Sequence, residues 1–390
     1  MTSNWEIVKA EDFCFTVTDG THDSPKAKEN GHYLITSKHL APYNIDFSSA
    51  KKISEEDYQK VIKRSPVEQW DILFSMIGTI GITYLEKNID IDYACKNMGI
   101  FKFNGDKDKA YWLYYYLQTP QAKEYILGHL RGTTQQYLPL GSLRDFPIQV
   151  PSAEIRNNIT LILRSLDDRI AVNTAINENL LEQLHLLYLR IFCDSAMDTP
   201  LGDVVATTSG GTPSRKHDEY YSDSSICWVK SKELLGNYIH ETEEHINDLA
   251  VKKSSAKLLP EHSVLIAMYG ATVGAYGVIS KPMTCNQAVC ALLCNQDYPY
   301  TYLFQIAYES QQKLINLAVG SAQQNISQVL IKQLNLHSDL DIIQKFHNLA
   351  FPIHKEIESL QAENIRLSTL QYNLLPKLMN GAIDVSKVKI

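Results

Sequence analysis

Two long segments of the chain carry apolar residues at alternating steps of three and four. This spacing is the heptad seam of a helix that packs along one partner helix. The seam positions of the first segment are Leu163, Leu166, Ile170, Asn173, Asn177, Leu180, Leu184, Leu187 and Ile191. Those of the second are Ile353, Ile357, Leu360, Asn364, Leu367, Gln371, Leu374 and Leu378. We therefore predict two long helices that form a coiled coil, with seam asparagines fixing its register. An ordinary core helix is the alternative for the first segment.

The sequence between these two segments repeats. Matching blocks occur in the same order at a nearly constant offset: 37–40 with 231–234, 72–81 with 264–274, and 132–136 with 320–324. Such self-similarity indicates a tandem duplication of a globular domain followed by a long helix. We predict four parts: a domain over 1–150, a helix over 151–196, a second domain over 197–337, and a helix over 338–390.

Each half has the pattern of a mixed α and β domain. Short apolar runs bounded by turn residues predict strands at 33–35, 71–77 and 100–103, and again at 226–229, 263–269 and 289–293. Aromatic-rich helices are predicted at 107–118 and 300–316. The expected fold class is therefore α+β, with two tandem mixed domains separated by two long antiparallel helices.

The composition describes a globular protein of the cytoplasm. Of the 390 residues, 44% are hydrophobic and 21% are charged, and no apolar run has the length of a membrane span. The N-terminus lacks a signal-peptide pattern. Seven cysteines without a Cys-x-x-Cys pair argue against a disulfide framework and against a zinc site, so we expect no metal. The cluster Cys285, Cys290 and Cys294 is interpreted as buried small side chains.

Sequence motifs for catalysis are missing. The chain contains no Walker phosphate loop, no Asn-Pro-Pro-Tyr of adenine methylation, no His-Glu-x-x-His and no Gly-x-Ser-x-Gly. The carboxylate pair Asp167 and Asp168 lies beside Arg164 and Arg169 and is interpreted as a solvated helix face. We therefore predict no catalytic residue and no cofactor in this chain.

Polar loops at equivalent points of the two repeats are the candidate DNA-binding elements. Gln and Asn can contact adenine, Lys and Arg can contact guanine, and glycine allows close approach to phosphate. In the first half the candidates are Thr18, Asp19, Gly20, Thr21, His22, Lys26, Lys38, Gly78, Thr79, Arg131, Thr133, Thr134, Gln135, Gln136 and Tyr137. In the second half they are Ser209, Gly210, Gly211, Thr212, Ser214, Arg215, Lys216, Lys230, Lys232, Tyr269, Gly270, Thr272, Ser321, Gln323, Gln324 and Asn325. With a net charge of −7, DNA binding must depend on such local patches or on a partner.

Several of these blocks resemble the specificity subunit of type I restriction-modification systems, a bacterial defence. The resemblance lies in Gly210-Gly211-Thr212-Pro213-Ser214, Trp228-Val229-Lys230-Ser231, Ser254-Ser255-Ala256-Lys257-Leu258-Leu259-Pro260, Ala267-Met268-Tyr269-Gly270-Ala271-Thr272-Val273-Gly274 and Leu374-Leu375-Pro376-Lys377-Leu378-Met379. It covers nearly the whole chain. The first half departs from the pattern by using Asp19-Gly20-Thr21-His22 in place of Gly-Gly-Thr-Pro.

The resemblance implies two target-recognition domains, each reading one half of a bipartite, non-palindromic site in double-stranded DNA. The two helices would set the spacer, since forty helical residues span about 60 Å, more than one DNA turn of about 35 Å. Implied partners are two methylation (HsdM) subunits, which carry S-adenosylmethionine, and restriction (HsdR) subunits, which use ATP and Mg²⁺. No membrane is involved.

Two other functions fit the sequence. A divergent or fused catalytic chain, either a DNA methyltransferase or a nuclease, would transfer methyl groups or cut DNA by itself. A coiled-coil scaffold that has lost DNA binding would assemble with partners and bind no DNA.

Overall fold

The computed structural model describes residues 5–41, 44–319 and 324–386. The chain forms two units. Unit 1 comprises Met1–Asp168 with Leu367–Ile390, and unit 2 comprises Arg169–Arg366. Both long helices are continuous across the division between the units, so each unit contains a part of both.

Unit 1 is built on a four-stranded sheet in the order β2-β10-β7-β8 and a three-stranded sheet in the order β6-β3-β9, with the short pairs β1-β11 and β4-β5. Its strands are β1 (Glu6–Lys9), β2 (Thr16–Asp19), β3 (His32–Ile35), β4 (Leu40–Ala41), β5 (Asn44–Ile45), β6 (Lys51–Ile53), β7 (Ile72–Ser75), β8 (Thr83–Leu85), β9 (Tyr93–Cys95), β10 (Met98–Lys102) and β11 (Pro147–Val150). Its helices are α1 (Ala10–Phe13), α2 (Glu55–Arg64), α3 (Lys107–Tyr116), α4 (Pro120–Gly128), α5 (Leu140–Arg144) and the start of α6 (Ala153–Phe192), with a 3₁₀ turn at Ser37–His39.

Unit 2 has a five-stranded sheet in the order β13-β20-β17-β18-β15, a three-stranded sheet in the order β16-β14-β19, and the pair β12-β21. Its strands are β12 (Met197–Pro200), β13 (Ala206–Ser209), β14 (Ile226–Val229), β15 (Tyr238–Ile239), β16 (His245–Ile246), β17 (Val264–Ala267), β18 (Tyr276–Ile279), β19 (Thr284–Cys285), β20 (Val289–Leu293) and β21 (Asn335–His337). Its helices are α7 (Leu201–Val204), α8 (Asp248–Lys253), α9 (Tyr300–Leu317), α10 (Gln328–Lys332) and most of α11 (Leu340–Met379), with 3₁₀ turns at Asp218–Tyr220, Ser231–Glu233 and Gly270–Thr272.

The two units share one core topology, which confirms the predicted repeat, and unit 2 adds the strand β15 beside β18. The order β2-β10-β7-β8 in unit 1 corresponds to β13-β20-β17-β18 in unit 2. The smaller sheets also agree, because β3 and β14 each have one parallel and one antiparallel neighbour. The fold class is therefore as predicted: mixed α and β, duplicated, with two 40-residue helices.

The central strands and aromatic helices form where their apolar patterns predicted them. All four residues of β7 and all four of β17 are buried. Asp106 caps the start of helix α3, because its side chain accepts a hydrogen bond from the Lys109 backbone N–H at 3.0 Å. The helix is buried from Ala110 onward. Helix α2 was not predicted, although Ser54 caps it by accepting from Asp57 N and acidic residues fill its first turn.

The seam of the long helices contains the predicted apolar residues. In unit 1, Leu163 packs into one core with Leu375 and Leu378. In unit 2, Leu184 and Ile357 share a core. The most deeply buried positions near the end of α6 are Tyr188 and Phe192, while Leu187 and Ile191 beside them are only half-buried. The bulk of these aromatic rings moves the contact stripe by one residue.

Polar side chains connect the helices within each unit. In unit 2, Asn173 Nδ2 donates to Glu363 Oε2 at 2.8 Å and to Asn364 Oδ1 at 2.9 Å. Arg169 holds the same Glu363 with two hydrogen bonds, at 3.1 and 3.0 Å. The amide nitrogen of the seam residue Asn173 is therefore held by specific partners on the other helix, whereas the buried Oδ1 atoms of Asn173 and Asn177 have no hydrogen-bond partner within the described residues.

The interpretation of Asp167 as part of a solvated face is wrong. Its carboxylate is buried in unit 1 and accepts hydrogen bonds from Tyr115 Oη at 2.6 Å and Gln371 Nε2 at 2.7 Å. Burial raises the pKa of Asp167, and these two donors partly offset that rise. The neighbouring Asp168 is exposed, as expected.

Two further expectations can be compared with the described residues. Cys285 and Cys290 are buried free thiols, as interpreted, and burial raises the pKa of each to about 12. In the described part of the chain, no helix combines the length and the apolar character needed to cross a membrane.

The buried His354 of α11 should make unit 2 sensitive to acid. Its Nδ1 lies 3.0 Å from Tyr238 Oη, Phe304 and Tyr300 pack against its ring, and burial lowers its pKa to about 3. An unfolded histidine has a pKa of about 6.5. Between these two values the unfolded chain binds the proton and the folded chain does not. Stability is therefore complete above about pH 6.5 and falls as the pH drops toward 3.

We expect His354→Gln to flatten the dependence of the urea midpoint on pH between 6.5 and 4. His347→Gln is the matched comparison. Burial also lowers the pKa of His347, but this side chain is only half-buried. Its effect on the slope should be smaller. An unchanged slope in His354→Gln would contradict the assignment.

Candidate nucleic-acid interface

The sheet register of unit 1 brings the predicted loops to one edge. Strand β10 pairs with β2 through Gly99 and Asp19, and with β7 through Met98 and Ser75. The ends of β2 and β7 and the starts of β8 and β10 therefore lie side by side. The connections that leave this edge contain the candidate residues of 18–26 and 77–81, together with 96–97.

The third predicted loop of unit 1 joins the same edge through the backbone. Tyr137 forms bridges with Ile77 and with Arg131, and Leu138 N donates to Met76 O at 2.9 Å. Loop 131–137 is thus a small hairpin against loop 77–81. We call segments 20–26, 77–81, 96–97 and 131–137 the loop edge of unit 1.

Unit 2 builds the same edge. Its central strand β20 pairs with β13 through Cys290 and Ser209, and with β17 through Val289 and Ala267. Gly270 N donates to Gln324 O at 2.9 Å, which ties the connection after β17 to the segment before α10. The loop edge of unit 2 comprises 210–216, 269–274, 286–288 and 324–325. Ser321 and Gln323 lie outside the described residues.

Most of the candidate side chains at these edges are exposed. The exposed ones are His22, Lys26, Lys38, Gly78, Thr79, Arg131, Thr133, Thr134, Gln135, Gln136, Tyr137, Thr212, Ser214, Arg215, Lys216, Lys232, Tyr269, Gln324 and Asn325. The half-buried ones are Thr18, Ser209, Gly210, Lys230, Gly270 and Thr272. Four candidates, Asp19, Gly20, Thr21 and Gly211, are buried, so their side chains are not available for direct base contact.

The glycines after β2 and β13 serve internal packing instead of the expected approach to phosphate. A Cβ on Gly20 would lie 2.3 Å from Cys95 O, and one on Gly210 would lie 2.2 Å from Cys285 O. Real Cβ atoms do not approach a backbone oxygen so closely. The chain therefore needs glycine directly after β2 to pass over the end of β9, and directly after β13 to pass over the end of β19.

Backbone hydrogen bonds also correct the alignment of the two motifs. In unit 1, Gly20 N donates to Met98 O and Thr21 N donates to Cys95 O. In unit 2, the equivalent bonds run from Gly210 N to Val289 O and from Gly211 N to Cys285 O. Asp19-Gly20-Thr21-His22 thus corresponds to Ser209-Gly210-Gly211-Thr212, one residue away from the match made by sequence. His22 and Thr212 are the first exposed side chains at equivalent points.

The buried carboxylate of Asp19 orients His22, the first exposed side chain of the loop that follows β2. Asp19 accepts from Arg64 at 2.6 Å and lies 2.9 Å from His22 Nε2, while His22 Nδ1 lies 2.9 Å from Asn97 Oδ1. Arg64 is in the last turn of α2, which explains why sequence reasoning missed it. The pairing of Asp19 follows from the tertiary fold alone.

Three candidate cations of unit 1 have no carboxylate partner in the part of the chain that the structure describes. Within the described residues, no carboxylate lies within ion-pair distance of Lys26, Lys38 or Arg131. Lys38 and Lys96 also line a cavity of about 270 Å³ with Thr36 and Ser49. This edge therefore presents uncompensated positive charge to an approaching anion.

Three candidate cations of unit 2 are paired with carboxylates, whereas the exposed Lys216 has no carboxylate within ion-pair distance among the described residues. Lys230 and Arg215 both bind the carboxylate of Glu244, and Lys232 lies 2.5 Å from Glu243. Lys230 holds the pKa of Glu244 below its usual range. Arg215 also stacks on Tyr221, 4.3 Å from the ring centroid. Sequence reasoning did not include this acidic pair.

Other missed positions follow from the topology. Asn97 in unit 1, and Asn286 and Gln287 in unit 2, lie where the chain enters the central strand. Asn97 has a positive φ of 54°, which Asn tolerates better than most residues. Their place at the edge could be recognised only from the order of the strands.

Comparisons with known proteins agree with this arrangement. The family model for the type I restriction modification DNA specificity domain matches residues 2–182 and 196–338. The chain is 24% identical to the MjaIX specificity subunit of Methanocaldococcus jannaschii, a type I restriction enzyme, over 99% of this chain and 95% of that protein. It is 20% identical to the HindI specificity subunit of Haemophilus influenzae over 82% and 88%. The crystal structure of the type I S subunit from M. genitalium has a similar fold, with a TM-score of 0.58 and 13% identity over 96% of both chains.

The packing role of Gly20 can be separated from a DNA-binding role. We expect Gly20→Ala to destabilise the chain by about 1–3 kcal/mol, as overpacking does, because its Cβ would meet backbone. Gly141→Ala in α5 is the matched control, since its Cβ would meet open space. The control should leave the urea midpoint unchanged or slightly raised. A Gly20→Ala chain of normal stability that loses DNA affinity would show that this glycine serves DNA approach after all.

Proposed function

Because this chain belongs to the type I restriction modification DNA specificity family, it is a non-catalytic DNA-recognition subunit, and we propose that each unit reads one half of a bipartite DNA site. The family assignment gives the sequence-specificity role and its setting, an assembly of restriction-modification subunits on DNA. The half-sites, the contact residues and the spacer are our proposal.

The duplicated loop edge is the observation that carries the proposal. In each unit one end of the central sheet presents loops rich in Thr, Gln, Asn, Lys and Arg, whose side chains can contact base edges and phosphates. The frameworks agree, but the side chains differ: the exposed His22 stands where unit 2 has Thr212, and the half-buried Asn97 lies in the segment that corresponds to Asn286 and Gln287. Two unlike edges would read two unlike half-sites, so the full site would not be a palindrome.

The two 40-residue helices support a fixed spacer between the half-sites. Each is continuous, and each contributes to the core of both units. A continuous helix is stiff and has a defined rise of about 1.5 Å per residue. We propose that their length sets how many base pairs separate the two half-sites.

Catalysis would come from partners. We propose two methylation (HsdM) subunits with S-adenosylmethionine, which would flip and methylate an adenine in each half-site. Restriction (HsdR) subunits would add cleavage driven by ATP with Mg²⁺. The unpaired cations at the edge of unit 1 alone would give modest DNA affinity, so partners would supply further phosphate contacts.

A methyl-transfer assay distinguishes this proposal from a catalytic chain. The purified chain alone should incorporate no labelled methyl group into DNA, and the chain with its methylation subunits should. A scaffold that has lost DNA binding would give no sequence-specific gel shift even when methylation subunits are present. Mapping methylated adenines in the host genome supplies the site for the experiments below.

Substitution of the glutamines of loop 131–137 should weaken recognition of one half-site only. We expect the double variant Gln135→Ala/Gln136→Ala to lose roughly 5- to 150-fold in affinity, the worth of one good base contact. It should also stop discriminating base changes in one half-site while still discriminating changes in the other. The control is Gln121→Ala, an exposed glutamine on α4 away from the loop edge. Equal responses to changes in both half-sites would refute the modular assignment.

Lengthening both helices tests the spacer. One heptad is inserted between Asp168 and Arg169 and another between Arg366 and Leu367. This preserves the bond of Asp167 to Gln371 on one side and of Arg169 to Glu363 on the other. Seven residues rotate a helix only about −20° from two full turns, so the seam stays in register. They add about 10.5 Å, or roughly three base pairs, which turn DNA by about 100°.

Separation and angular phase cannot both be restored by one spacer, so affinity for the native site should fall steeply while folding survives. Any remaining preference should move to a longer spacer in a series of duplexes. A heptad inserted in α6 alone is the control, because it offsets the two helices and should destabilise the chain. Unchanged preference for the native spacer would show that the helices do not set the distance.

A further inference from the structure

A cysteine, a glutamate and a histidine of unit 2 converge beside the smaller sheet. Cys227 on β14 and His245 on β16 are directly paired across the two antiparallel strands. Glu241 lies in the segment between β15 and β16. The thiol sulfur, a carboxylate oxygen and an imidazole nitrogen of these three residues all lie within 4.8 Å of one another.

The carboxylate lies between the other two groups. Glu241 Oε1 is 2.9 Å from Cys227 Sγ and 2.5 Å from His245 Nε2. Cys227 is 1% exposed, whereas Glu241 is exposed and His245 is half-buried. The cluster thus has a buried sulfur at its base and an opening to solvent through which an ion can enter.

We propose that Cys227, Glu241 and His245 form a Zn²⁺ site. Thiolate, carboxylate and imidazole are the side chains that bind zinc in proteins, at about 2.3, 2.1 and 2.0 Å. Ligand atoms around a tetrahedral zinc are about 3.4–3.6 Å apart on these bond lengths. The carboxylate must therefore withdraw by roughly 1 Å on binding, which the exposed Glu241 side chain is free to do. Three protein ligands leave the fourth position to solvent.

The charge balance accommodates a divalent cation. A free cysteine thiol keeps its proton at neutral pH. Zinc replaces this proton, which passes to solvent, and thiolate plus carboxylate then match the two positive charges. Lys281 Nζ lies 3.2 Å from Glu241 Oε2, the outer oxygen, where its charge opposes the ion and its exposed side chain can move with the carboxylate.

A metal at this site would limit the movement of the acidic segment 241–244, which holds three candidate cations of unit 2. Glu241 is followed by Glu243 and Glu244, which pair with Lys232, Lys230 and Arg215. A metal bound to both Glu241 and the strands β14 and β16 would fix this segment. The inference does not depend on the proposed function, and it differs from the expectation of no metal, which considered the missing Cys-x-x-Cys pair and the cluster Cys285, Cys290 and Cys294.

Cobalt is a suitable probe, because a Co²⁺–thiolate bond gives a charge-transfer absorption band. The full chain is treated with a chelator under reducing conditions and titrated with Co²⁺, then with Zn²⁺. We expect one equivalent to bind with the thiolate band, about one proton to be released, and Zn²⁺ to abolish the band. Cys227→Ser should remove the band. Glu241→Gln and His245→Gln should weaken binding at least about tenfold, as loss of even an outer partner does.

Cys193→Ser and His217→Gln are the matched controls, since both residues are exposed and lie outside the cluster. Circular dichroism verifies folding, and Glu241→Gln changes only an exposed side chain. No thiolate band in the wild-type chain would overturn the proposal. A band that survives in Cys227→Ser and disappears in Cys193→Ser would do the same.

Discussion

The register of one strand in each unit determines where the candidate interface lies. Strand β10 is hydrogen-bonded on both sides, so Met98 and Gly99 fix the ends of β7 and β2 at the same level. A slip by one residue would turn every buried side chain of a strand to the opposite face. The chain that leaves β2 must also pass within van der Waals distance of Cys95, which only glycine allows. The position of the loops is therefore set by the buried core, and their exposed side chains are free to differ between the units.

The two edges differ in how their charges are held. Lys26, Lys38 and Arg131 can neutralise phosphates at once, because no described carboxylate competes for them. In unit 2, Glu244 holds Lys230 and Arg215, so an anion that bound these two cations would displace it. These exposed pairs are worth little by themselves, but their rearrangement couples DNA contact to the conformation of the acidic segment. The unpaired cations of unit 1 are thus directly accessible to an anion, while Lys230 and Arg215 of unit 2 become accessible only where Glu244 can move.

Periodicity and repeat detection were sufficient for the architecture and insufficient for the interior polar groups. The heptad spacing identified the buried Leu163 and Leu184 because apolar periodicity reports directly on a buried face. The interpretation of the carboxylate pair from its charged neighbours misjudged Asp167, whose burial depends on Tyr115, a residue 52 positions away in sequence. The loops were recognised from matching blocks, but the one-residue shift between the two glycine motifs came from backbone hydrogen bonds to β10 and β20. The Cys227 and His245 pair was likewise invisible until β14 and β16 were known to be neighbours.

The polar groups of the seam make helix length and register inseparable. Within unit 1, Asp167 has its two donors only when Gln371 is opposite, and within unit 2, Asn173 needs Glu363 and Asn364. A purely apolar seam tolerates sliding by a heptad at small cost, whereas a slide here leaves a buried carboxylate and amide without partners. Leaving such groups unsatisfied costs about 1–3 kcal/mol each, and more for a charge. The same residues that weaken the seam locally therefore exclude alternative registers, as the proposed fixed spacer between the half-sites would require.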